Sequence, residues 1–154
     1  MSIFKKGNDN LANSLNNVLE AVWTQIDALY GVIKYFKDEL SRLNSMLTDA
    51  QKFYDAVDEA KEDYKNISLL IKSINIKITK INILIEQLKI CEKQLNNDNS
   101  TYEYNNKYHR GELLYINSYE QHIRDSKYLL DEYDKLTNEI SVLYDEITQF
   151  YESE

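Results

Sequence analysis

From Leu15 to Leu47 the apolar residues step along the chain by four and three without an error: Leu15, Leu19, Val22, Ile26, Leu29, Ile33, Phe36, Leu40, Leu43, Leu47. A helix turns about 100° per residue, so ten apolar positions at this spacing share one side of an α-helix. A strand would scatter them over both of its faces. The spacing predicts a helix over about 10–47, with Asp9 or Asn10 available to cap its start.

A second run keeps the same spacing in a frame displaced by three residues: Val57, Ala60, Tyr64, Ile67, Ile71, Ile74, Ile78, Ile81, Ile85, Leu88. The displacement falls at Thr48-Asp49-Ala50-Gln51, which has the form of a capping box. Two readings fit: a corner between two helices, or one continuous helix carrying a three-residue stammer. The second helix is expected over about 50–95. Next comes Asn96-Asn-Asp-Asn-Ser-Thr101, whose side chains bond readily to nearby backbone, so a loop is predicted over about 96–111.

The third run reads Tyr115, Tyr119, Leu129, Tyr133, Leu136, Ile140, Leu143, Ile147, Phe150, and predicts a helix over about 112–152. Leu130, Tyr144 and Tyr151 widen its stripe, which suits a bundle better than a two-stranded zipper. One stretch competes with this picture. Ile74 to Ile85 alternates and is rich in β-branched residues, both strand signals. The helical frame runs through it unbroken, so helix is expected there too. The chain has no proline and three glycines, which leaves an all-β fold without its turns and a nucleotide-binding fold without its glycine-rich loop. The expected fold is all-α: an elongated three-helix antiparallel bundle, coiled-coil-like with heptad seams, forming a single domain over 1–154.

Charge refines the expected arrangement. Residues 64–93 carry six Lys against Glu86 and Glu92, whereas residues 112–154 carry eleven acids against Arg124, Lys127 and Lys135. Opposite charge beside two apolar seams favours helix 2 next to helix 3, although each exposed pair contributes only about 0.2–1 kcal/mol. The chain as a whole is acidic, with a net charge of −8. Asn, Ile, Lys and Tyr, all with AT-rich codons, are abundant; this bias points to a low-GC source and is not chemistry.

A zinc site needs several Cys and His at short spacing, and this chain has only Cys91, His109 and His122. A di-iron bundle needs Glu-x-x-His pairs, whereas Glu120 and His122 stand two apart and point to different faces. Cys91 lies beside the helix 2 seam and is expected to pack there, and the two histidines are expected to face solvent or to lie in loops. The paired acids Asp58-Glu59, Glu62-Asp63, Asp131-Glu132 and Asp145-Glu146 are expected on solvated faces. No enzyme, cofactor or metal site is therefore expected. Seven tyrosines between Tyr102 and Tyr133 could stack on bases, but they sit in the most acidic third of the chain, so direct nucleic-acid binding is not expected either. One unpaired cysteine suits a reducing compartment, and a cytoplasmic protein is the expectation. The most apolar stretch, Ile67–Ile90, contains four Lys, so no membrane span is expected.

What remains is interaction with proteins. With Ile71, Ile78 and Ile85 at heptad position a and Ile74, Ile81 and Leu88 at d, the residues Leu69, Ile76, Ile83 and Ile90 all fall at f, seven apart and on the side away from the seam. Three readings fit: helix 2 is sandwiched, with its f side covered inside the monomer; Leu69, Ile76, Ile83 and Ile90 form an exposed partner-binding stripe; or the stripe is exposed without a role, which an apolar patch of this size disfavours. The functional expectation is a non-enzymatic helical interaction protein — a subunit, adaptor or inhibitor — that docks another protein or self-associates. The alternative is an acidic nucleic-acid mimic that inhibits a DNA- or RNA-binding protein, as some phage-encoded proteins do.

Overall fold

The computed structural model describes residues 3–109 and 115–153. Among them are three helices and no strand: α1 (Ile3–Lys52), α2 (Asp58–Tyr108) and α3 (Ile116–Ser153). The protein is an all-α three-helix bundle, as the spacing predicts. Two short connections join the helices, residues 53–57 and 109–115. Seven residues span at most about 25 Å, while α2, with 51 residues, is about 75 Å long at ~1.5 Å per residue. No connection can return to the start of the preceding helix, and the first parts of α1 and α3 share a compact unit with the last part of α2, so successive helices run antiparallel.

The chain divides into two compact units, each built from one part of every helix: Met1–Ala28 with Leu84–Asp134, and Leu29–Ile83 with Lys135–Glu154. The first unit buries Leu15, Leu19, Val22 and Ile26 of α1, Leu84, Leu88, Cys91 and Leu95 of α2, and Tyr119 and Ile123 of α3. The second buries Leu29, Ile33, Phe36 and Leu43 of α1, Ile67, Leu70, Ile74 and Ile81 of α2, and Leu136, Ile140, Leu143 and Ile147 of α3. Cys91 packs in the core as expected.

The helix ends differ from the expected ones. Asn10 does not cap α1, which begins seven residues earlier at Ile3; the side chain of Asp9 lies outside the described residues. The capping box at 48–51 is unused: Thr48 Oγ1 donates to the Asn44 carbonyl at 3.0 Å, an internal helix contact, and α1 runs on to Lys52. The chain does turn a corner rather than continue as one helix, but it does so over residues 53–57. The turn is held by backbone bonds within one helical turn, Phe53 N–H to Ala50 and Val57 N–H to Phe53 at 3.3 and 3.0 Å, and needs no glycine or proline.

The loop predicted over 96–111 is helix as far as Tyr108. Asp98 explains this. It lies seven residues after Cys91, on the buried row, and is itself buried at 7 % exposure. His122 of α3 hydrogen-bonds it, Nδ1 to Oδ2 at 2.6 Å, so a carboxylate occupies a core position without being left unpaired. His122 is thus neither the solvent-facing nor the loop residue expected, being a part-buried residue of α3, whereas His109 is exposed just beyond α2. The helix start expected at 112, with Arg110 and Gly111, lies outside the described residues. Helix termini open most readily, so trypsin should cleave after Lys107, in the last turn of α2, before it cleaves anywhere between Lys65 and Lys93. Mass spectrometry of the first fragments checks this; early cutting between Lys65 and Lys93 would contradict the packing of α2.

Candidate docking surface

On α2 the buried side is set by Ile67, Ile74, Ile81 and Leu88, each 2 % exposed or less, and by Leu70, Leu84 and Cys91, which are buried between them. Ala60, Ile67, Ile74, Ile81, Ile85 and Leu88 of the predicted seam are thus buried, but the inward side is widened towards Leu70 and Leu84, and Ile71 and Ile78 of that seam are only half-buried. Val57, expected to start that seam, is exposed in the turn. Two residues beyond each of the four innermost positions lies about 200° around the helix, and there stand Leu69, Ile76, Ile83 and Ile90. They are 56 %, 49 %, 56 % and 59 % exposed. The reading in which helix 2 is sandwiched and the stripe covered within the monomer is therefore incorrect. Leu69, Ile76 and Ile83 belong to the second unit and Ile90 to the first.

In the second unit the stripe borders a groove of about 340 Å³ between α2 and α3, lined by Ser73, Ile76, Lys77, Glu139, Val142, Leu143 and Glu146. Val142 is exposed like Ile76 across from it, and sequence spacing did not single it out because its neighbours on the outer side of α3 are polar. The groove is clasped by charge. Lys77 Nζ and Lys80 Nζ both reach Glu139 Oε1 at 2.9 Å, in line with the opposite charges of the two helices. Hydrogen bonds from Lys77 and then Lys80 hold the Glu139 carboxyl below its ordinary value. Its contribution to stability is present above the ordinary carboxylate value and is lost as pH falls through the lowered one. With Glu139 nearly half exposed that contribution is small.

Residues 64–85 contain Lys65, Lys72, Lys77 and Lys80 and no acid. Lys65 and Lys72 are exposed beside Leu69 and Ile76, so the stripe is apolar with a basic margin.

Among the described residues no group of three or more His, Cys, Asp or Glu is arranged to hold a metal ion. The nearest arrangement to a catalytic one is the Asp98–His122 pair. The adjacent Ser126 is fully buried and donates its hydroxyl to the His122 backbone carbonyl at 2.7 Å, so it does not aim at the imidazole. No described helix is long and apolar enough to cross a membrane.

Compared with known protein families, curated proteins and solved structures, the chain finds no match.

Proposed function

We propose that this chain is a non-enzymatic helical interaction protein, a subunit, adaptor or inhibitor, that docks another protein or a second copy through the outer apolar face of α2. The observation that carries the reading is the exposure of Leu69, Ile76 and Ile83, three large aliphatics on one face of the second unit. Removing such apolar surface from water is favourable, by about 25 cal/mol per Å² buried. Exposed Val142 across the groove extends the same patch, and the lysines beside the stripe favour an acidic margin on the occupant. A reducing cytoplasm suits the buried, unpaired Cys91.

Substitution of Ile76 and Ile83 by Lys tests this. Both side chains already face solvent, so the double variant should keep the wild-type helical circular dichroism and melt within a few degrees of it. Association should be lost, read as mass by light scattering for self-assembly and as partner recovery from the native host for a heterologous complex. A sharply lowered Tm, or unchanged association, would refute the reading. Docking through an apolar face should persist from about 0.1 to 1 M salt. An acidic mimic of nucleic acid, the rival reading, would instead lose its partner steeply over that range and be displaced by DNA.

A further inference from the structure

A second concave surface lies at the α1–α2 corner of the second unit, away from the residues used above. It is a groove of about 410 Å³ lined by Met46, Asp49, Ala50, Phe53, Val57, Glu59, Ala60, Asp63 and Ile67. Its floor is apolar: Ala60 and Ile67 are buried and Met46 and Ala50 half-buried. Its edges carry Phe53 and Val57, 57 % and 45 % exposed, together with three carboxylates. Among the described residues no Lys or Arg lines it.

We propose that this groove binds a segment of another protein that offers an aliphatic or aromatic anchor flanked by Lys or Arg. Three observations lead to that chemistry. The turn itself does not need an exposed Phe: its backbone bonds close it, and the neighbouring Tyr54 already stacks edge-on against Tyr64 with ring centres 5.5 Å apart. Phe53 is left beside the groove with most of its ring in water, a ready wall for an incoming apolar side chain.

The acids are only partly explained by the fold. Asp58 and Glu59 lie in the first turn of α2, where negative charge is favourable against the helix dipole. Asp49 lies in the last turn of α1, where the same dipole opposes it, and its ion pair to Lys52 at 3.7 Å is mostly exposed on both sides. Asp49, Glu59 and Asp63 come from two helices and meet around one apolar floor. That arrangement complements a cation on either side of an apolar anchor. A helical protein segment is favoured over a small molecule because Phe53, Asp49 and Glu59 stand too exposed to enclose a small ligand, whereas a helix can lie across them.

The test uses a fluorescently labelled amphipathic peptide of Leu and Lys, about 20 residues long, titrated with the full chain and followed by anisotropy. The wild type should bind it, and the same peptide with Glu in place of Lys should not bind. Phe53→Ser should weaken binding about tenfold or more, and so should D49N/E59Q/D63N, both with wild-type circular dichroism. A control variant, D131N/D134N/D145N, removes the same charge from exposed positions on α3 and should bind like the wild type. The variant with Lys at positions 76 and 83 should also bind it normally, which separates this groove from the α2 stripe. The proposal is overturned if the wild type ignores the peptide, if Phe53→Ser binds as tightly as the wild type, or if the α3 control loses as much as the groove variant. It is overturned equally if substitution of the stripe abolishes binding.

Discussion

Replacing Ile74 by Ala should cost about 2–5 kcal/mol, whereas replacing Ile76 by Ala, two residues along the same helix, should change stability by no more than about 0.5 kcal/mol. Ile74 is fully buried and Ile76 half exposed. Removing three methyl or methylene groups from Ile74 loses their transfer free energy and leaves a cavity that the three packed helices close only in part. The same truncation at Ile76 removes atoms that water already touches. Urea denaturation of the two variants, compared through the midpoint at constant slope, measures the difference directly. Equal losses would mean that α2 is rotated from the orientation described, and the proposed docking face would then be part of the core.

The second large effect is expected at Tyr151 of α3. Its hydroxyl donates to Glu39 Oε2 at 2.6 Å, and Glu39 is a carboxylate with only 6 % exposure. Arg42 supports the same carboxylate at 3.6 Å and lies with its guanidinium 5.4 Å from the centre of the Tyr151 ring. Tyr151→Phe removes one hydroxyl and leaves a buried acceptor without its shortest partner, which should cost about 1–3 kcal/mol. The pH dependence has a definite sign. Burial first, and Glu39 second, push the Tyr151 hydroxyl up to about 12. A group whose value is raised by folding contributes fully below its unfolded value, near 10 for tyrosine, and loses that contribution as pH rises through the folded one. The stability difference between wild type and Tyr151→Phe should therefore be constant from pH 7 to 9 and shrink between about 10 and 12. A difference that is absent at pH 7, or that grows at high pH, would show that Tyr151 does not carry the Glu39 carboxylate.

The sequence by itself determined the helices and the class of fold. Spacing by three and four through Leu15–Leu47 and Leu136–Ile147 admits one regular structure, and the buried rows of α1 and α3 follow it closely. It also singled out Leu69, Ile76, Ile83 and Ile90, because four large aliphatics seven apart must share a face whatever surrounds them. The alternation from Ile74 to Ile85 that imitates a strand has the same origin. Ile74 and Ile81 point inward and Ile76 and Ile83 outward, so a helix apolar on two sides reads every second residue as apolar.

Only the tertiary structure decided which row of α2 goes inside. The row through Ile71, Ile78 and Ile85 is wholly aliphatic, whereas the row through Leu70 and Leu84 has Lys77 between them; yet Leu70, Leu84 and Ile85 are buried and Ile71 and Ile78 only half-buried. The stripe lies on the far side of the helix for either row, and only the tertiary structure decides that no other helix covers it. The ends of the helices were decided in the same way. Asp98 reads as a loop residue by its local preference for bonding backbone, but His122 meets it from α3, twenty-four residues away in sequence, and satisfies it at a buried position inside α2. Glu39 in the core, served by Tyr151 from 112 residues away, follows the same rule. A polar group can take a core position when a distant partner satisfies it, and spacing along one helix carries no record of that partner. The corner groove is of this kind as well, since Asp49 and Asp63 become neighbours only once the chain turns between them.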